Sequence, residues 1–143
     1  MESPGHGVLE WLGSSKEEIH KRLLEEVSFV STERSHKDYI PPFLLERWKR
    51  EGRAFFVMTE DGKELFPTFQ FHYNFPALDI KKILDFVPED SRGWSLLCWF
   101  ATRNTLLSLK RPMDIPKKEF RKKKVVGAAK HFFVRESPPE GAL

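Results

Sequence analysis

GWSLLCWFATRNTLLSLKRPMD, residues 93–114, is the stretch on which the reading of this chain turns. Trp94, Leu97, Cys98 and Ala101 fall at i, i+3, i+4 and i+7, the spacing that lays one face of a helix on a core. Leu96, Trp99 and Phe100 lie largely off that face, so the helix is apolar over most of its girth. Such a helix is either central in a small bundle or turned partly toward a partner. Aromatic side chains at an exposed position are the usual anchors of an interface, and the same side chains serve equally well as core.

Toward the N-terminus, Leu78, Ile80, Ile83, Leu84 and Val87 predict a short helix over about 79–86, closed by Pro88. Asp90 or Ser91 is placed to cap the helix that follows. Residues 53–58 and 63–69 are two β-rich runs joined by Thr59-Glu60-Asp61-Gly62, and Asp-Gly between such runs is a strong hairpin signal. Pro41-Pro42 opens a helix with Phe43, Leu44, Leu45 and Trp48 as its apolar members and Gly52 placed at C′. Overlapping Ser-x-x-Glu boxes at Ser14 and Ser15 start an earlier helix over 16–27, whose Ile19, Leu23 and Val27 form one stripe. Residues 28–37 are polar and turn-rich, with no clear period.

Helix, helix and hairpin in that order outline a helix-turn-helix with a β wing. In that arrangement Arg47, Lys49, Arg50 and Arg53 are available to DNA phosphates or bases. Glu46 and Glu51 lie among them, and exposed helices are routinely charged, so a solvated face accounts for the same residues. Beyond the central stretch, Pro112 and Pro116 break the chain. Residues 117–134 then predict a terminal helix with Phe120, Val125, Ala128, Ala129 and Phe132 inward. The Pro- and Gly-rich residues 136–143 predict a flexible tail ending in Leu143.

At 143 residues, with 40% hydrophobic and 31% charged residues, the composition is that of an ordinary globular chain with room for a core. No apolar run is long enough to span a bilayer, and one cysteine suits a reducing cytoplasm. The net charge of +3 is unevenly distributed, because residues 103–135 carry +9 and the remainder −6. Such polarity suits an acidic protein surface or nucleic acid, and equally a solvated basic helix. The five histidines share no metal-ligand spacing with one another or with Cys98. The sequence has no glycine-rich phosphate loop and no nucleophile elbow, so the reading expects neither cofactor nor catalytic site.

GWSLLCWF, Asn104, Leu107, the segment Arg111-Pro112-Met113-Asp114 and the upstream FPTFQF of Phe66 to Phe71 together resemble the C-terminal toxin-binding domain of Xre/MbcA/ParS-type antitoxins. The resemblance runs from about Leu44 to Phe132. Thr105 stands where that family commonly has proline, and Leu109 where it usually has glycine. If the glycine needs a positive φ, Leu109 is strained there or the turn is rebuilt.

The resemblance implies a mainly α fold with one β-hairpin. A helix-turn-helix-like region spans 1–72, a compact helical toxin-binding domain 73–135, and a tail 136–143. It also implies neutralisation of a cytoplasmic NAD-consuming toxin of the Arg-Glu-Ser (RES) class, with Trp99, Arg103, Asn104, Lys110, Arg111 and Leu143 as toxin contacts. Alternatives are a DNA-binding transcriptional (auto)regulator and an orphan interaction module without a toxin. A homodimer is compatible with each.

Overall fold

Ser15 and Glu18 close the expected capping box: Glu18 N donates to Ser15 Oγ at 3.1 Å, and Ser15 N donates to the Glu18 carboxylate at 2.7 Å. Helix α1 (Lys16–Glu26) follows, and Leu23 from it enters the core. This computed structural model describes residues 13–31, 40–116 and 123–134. Strand β1 (Phe29–Ser31) leads toward helix α2 (Pro42–Arg50), which stops where Gly52 adopts a φ of +70°. Strands β2 (Val57–Met58) and β3 (Glu64–Pro67) form the Asp-Gly hairpin, with Gly62 at φ +86°. The three strands make an antiparallel sheet in the order β1-β3-β2, pairing Val30 with Phe66 and Val57 with Leu65.

A 3-10 turn (Thr68–Gln70) leads into a second antiparallel pair, β4 (Phe71–His72) and β5 (Phe75–Pro76). Its two-residue turn places Tyr73 and Asn74 at φ 54° and 64°, as tight hairpins of this length require. Helices α3 (Leu78–Phe86), α4 (Trp94–Phe100) and α5 (Lys123–Phe133) complete the described chain.

The described residues therefore hold five α-helices and two small antiparallel sheets, a mixed α/β arrangement that replaces the expected mainly α fold with one hairpin. Two features escaped the sequence. Strand β1 is three residues long, too short to show a period, and its pairing with β3 defines it. Strand β5 contains proline, which reads as a break but is tolerated in a pair with no further neighbour. The helix-turn-helix expectation is corrected as well. Strand β1 and residues 32–39 separate α1 from α2, so no tight turn joins them.

The larger core gathers Leu23 and Val27 near α1, Phe55 and Val57 by the hairpin, Ile80, Ile83 and Leu84 of α3, and Val125, Ala128 and Ala129 of α5 around α4. It draws on both sides of residue 72. A smaller cluster joins Val30, Leu45, Trp48, Phe66 and Phe71. Helix α4 is covered on more sides than its period suggested: Leu96, Leu97 and Phe100 are fully buried, and Trp94 and Cys98 lie at the half-exposed edge. Phe69 packs on Phe100 with ring centroids 4.8 Å apart, while Phe133 of α5 meets Trp99 at 6.1 Å.

Gln70 ties these layers together. Its side chain is fully buried and pairs with a backbone as a strand would. Phe55 N donates to Gln70 Oε1 at 2.8 Å, and Gln70 Nε2 donates to Phe55 O at 2.8 Å and to Pro67 O at 3.1 Å. Ala77 N donates to Gln70 O at 2.8 Å, which fixes the start of α3. Replacing Gln70 by Leu keeps the volume but strands a buried N–H and two carbonyls. At about 1–3 kcal/mol for each unsatisfied group, the expected loss is about 3 kcal/mol or more. Urea denaturation reads it, and a loss below about 1 kcal/mol would contradict the assignment.

A second tie joins α1 to α4. The His20 ring lies flat on Trp94, with centroids 3.8 Å apart and planes within 9°, and Trp94 Nε1 donates to Met58 O at 3.1 Å. Burial, and then the neighbouring Lys16, push the imidazole below its ordinary value of 6.5, while Glu17 and Glu60 pull the other way. The neutral ring is thus favoured in the folded chain. The contribution is fully present above the unfolded value and is lost as pH falls through the depressed folded value. Thermal midpoints followed from pH 7.5 downward should decline less in His20→Phe, which keeps the stack and cannot protonate. Identical pH profiles would remove His20 as the cause.

Candidate functional site

Asn104 builds the loop that follows α4. Helix α4 ends as Thr102 Oγ1 donates to Cys98 O at 2.6 Å, and the chain then turns around Asn104. The Asn104 side chain accepts from Leu106 N at 2.8 Å, and its carbonyl accepts from Leu107 N at 3.0 Å and Leu109 N at 2.8 Å. Its own N–H donates to Lys110 O at 3.1 Å, closing a bridge between residues 104 and 110. Ser108 and Leu109 form the tip at φ 58° and 66°, with Lys110 N donating to Leu107 O at 3.1 Å. Leu109 therefore occupies the left-handed region that the resemblance assigned to glycine. For a residue with a Cβ that conformation costs about 1–2 kcal/mol.

The tip displays apolar surface. Leu107 is buried beneath it, whereas Leu106 is 53% exposed and Leu109 49% exposed, so both tip leucines keep apolar surface open to solvent. Beside the tip an open groove of about 630 Å³ runs between this loop and α1, lined by Arg22, Glu26, Arg103, Leu109, Lys110, Arg111 and Asp114. Its charges are unevenly committed. Arg111 holds Asp114 through two contacts of 2.8 and 3.4 Å and reaches Glu26 at 3.7 Å, and Arg22 meets Glu26 at 3.5 Å. Arg103 and Lys110 are exposed and make no ion pair with the described residues. The groove thus keeps an excess of positive charge after its two carboxylates are matched.

Arg103, Lys110 and Arg111 are brought together here, as the sequence reading grouped them. Trp99 and Asn104 are not on this surface. Trp99 is 5% exposed, wedged between Phe100 and Phe133, and Asn104 is 7% exposed with its side-chain oxygen spent on the loop. Both side chains lie beneath this surface rather than on it. Off-face aromatics on α4 are covered by α5, a layer the helical period does not reveal. Leu143 lies outside the described residues. Arg22, Glu26, Leu106 and Leu109 belong to the surface and were missed. Proximity of α1 to the loop is tertiary, but the positive φ suspected at Leu109 was a sequence-level pointer to the tip.

The cations of α2 separate into two groups. Lys49 donates to Glu64 at 3.1 Å and to Glu46 at 3.2 Å, and its ammonium sits 5.2 Å from the Phe56 ring centroid. Burial opposes its charge, but the two carboxylates outweigh it and hold the Lys49 pKa above the ordinary value. Arg53 meets Glu51 at 3.4 Å. Arg47 and Arg50 lie with Phe43 on the exposed face of α2, and neither makes an ion pair with the described residues. Among the described residues no group of three or more His, Cys, Asp or Glu gathers in a way that would hold a metal, and no helix is long and apolar enough to cross a membrane.

No protein-family model, no curated protein and no solved structure matches this chain.

Proposed function

We propose that this chain is an antitoxin that binds and blocks an NAD-consuming toxin of the RES class in the cytoplasm. The observation that carries the reading is the Asn104 loop, where two exposed leucines stand on a prebuilt scaffold beside Arg103 and Lys110. A rigid apolar tip rimmed by cations binds protein with little ordering cost, and uncommitted charges steer an acidic partner toward it. The segment is also the one that resembles the toxin-binding domain of Xre/MbcA/ParS-type antitoxins. On this reading the chain performs no chemistry and occludes the partner's cofactor entrance. Arg103→Glu combined with Lys110→Glu, both on exposed side chains, should leave the thermal midpoint in place. Affinity for a RES-class toxin should fall at least about tenfold, and NAD consumption should resume at equal antitoxin dose. Undiminished inhibition by the double variant would refute this surface as the toxin contact.

A second reading, DNA binding, is favoured by the free Arg47 and Arg50 on α2. Lys49 and Arg53 are each paired with a carboxylate, so the reading rests on Arg47 and Arg50. Arg47→Ala with Arg50→Ala should weaken binding to the promoter of the chain's own gene by about 1–3 kcal/mol per specific contact and flatten its salt dependence. Toxin neutralisation should survive. Equal loss of both activities would mean that one surface serves both.

A further inference from the structure

Leu109 presents an unusual combination. Its backbone is held at φ 66°, its side chain is half exposed, and it lines the groove that holds Arg103 and Lys110. Glycine would relieve the backbone but give up the half of the leucine surface that is buried, and the other half, set beside two cations, is left for a partner. Strained residues of this kind accumulate where a ligand is clamped. Beside Leu109 the groove has matched its own carboxylates, Glu26 and Asp114, with Arg22 and Arg111. The two cations left over flank the apolar tip on the loop that Asn104 already orders.

From this juxtaposition we propose that the groove is a recognition site for an acidic chain segment carrying an apolar residue. Carboxylates of the segment meet Arg103 and Lys110, and its apolar side chain packs on Leu109. The site deepens the toxin-binding reading and rests on it for the identity of the natural partner. An acidic peptide is favoured over a phosphate ligand because the exposed leucine offers a phosphate nothing, whereas an apolar side chain between carboxylates matches the leucine and the two cations together.

The test uses the full chain and a fluorescein-labelled peptide, Glu-Glu-Leu-Glu-Glu-Leu, with its Gln-for-Glu counterpart and inorganic pyrophosphate as comparisons, read by fluorescence anisotropy at low salt. The acidic peptide should bind at least tenfold tighter than the Gln peptide, and pyrophosphate should not displace it. Arg103→Glu with Lys110→Glu should abolish binding. Leu109→Gly should weaken binding at least threefold with the far-ultraviolet circular dichroism unchanged. Equal binding of the two peptides, displacement by pyrophosphate, or unchanged binding by Leu109→Gly would overturn the proposal. Peptide binding that persists beside a failure to neutralise the toxin would sink the antitoxin reading alone. Neutralisation without peptide binding would sink this site alone.

Discussion

The buried side-chain amide of Gln70 pins the backbone before the hairpin to the turn that follows it, and the larger core packs against that junction. Backbone between α2 and β2 has to turn inward past the hairpin, and there Phe55 exposes an N–H and a carbonyl to an apolar environment. A buried peptide group must find partners, and no strand is in position to supply them. Gln70 supplies both, because a primary amide carries a donor and an acceptor in the same geometry as a peptide. With Phe55 so fixed, its ring lies 5.9 Å from that of Phe100, and α4 acquires the sheet side of its coat. Through its own carbonyl the same residue sets the start of α3. Loss of the side-chain amide therefore unsettles Phe55 and, through its ring, the packing on α4.

Asn104 follows the same logic of satisfaction before function. Asn104 is nearly buried, yet it shapes the one exposed surface with uncommitted cations on the loop after α4. Its side chain and backbone bind four points of the loop, so the tip at Ser108 and Leu109 is prescribed even though neither residue favours that backbone. The loop's energy is lodged in a hidden residue, and its chemistry is displayed by its neighbours. Trp99 plays a similar part on the other side, filling the space between α4 and α5 so that the loop has a fixed base.

Charge is likewise divided between structure and display. On α2 the most sheltered cation, Lys49, is bound by two carboxylates and an aromatic ring, whereas Arg47 and Arg50 remain open. In the groove, Arg111 is bound and Arg103 and Lys110 remain open. Surface ion pairs of this exposure contribute little to stability, so their chief effect is to decide which charges are left for a partner.

Sequence alone determined the parts whose causes are local. The capping box at Ser15, the stop at Gly52, the Asp-Gly hairpin and the short helix before Pro88 depend on residues a few positions apart, and each is where the pattern put it. The inward set of the last helix, Val125, Ala128 and Ala129, was legible for the same reason. Tertiary structure decided what depends on contacts between distant segments. Three residues become β1 only because β3 lies alongside, and FPTFQF, which resembles a single strand, breaks at Pro67 so that Gln70 can point at Phe55. A helical period assigns Trp99 a direction but not a covering, and α5 provides the covering. The cations Arg103, Lys110 and Arg111 were visible as a cluster, but the groove required α1 to bring Arg22 and Glu26 across to them. Side-chain direction is a short-range property of the backbone, whereas exposure is set by whatever the rest of the chain packs against it.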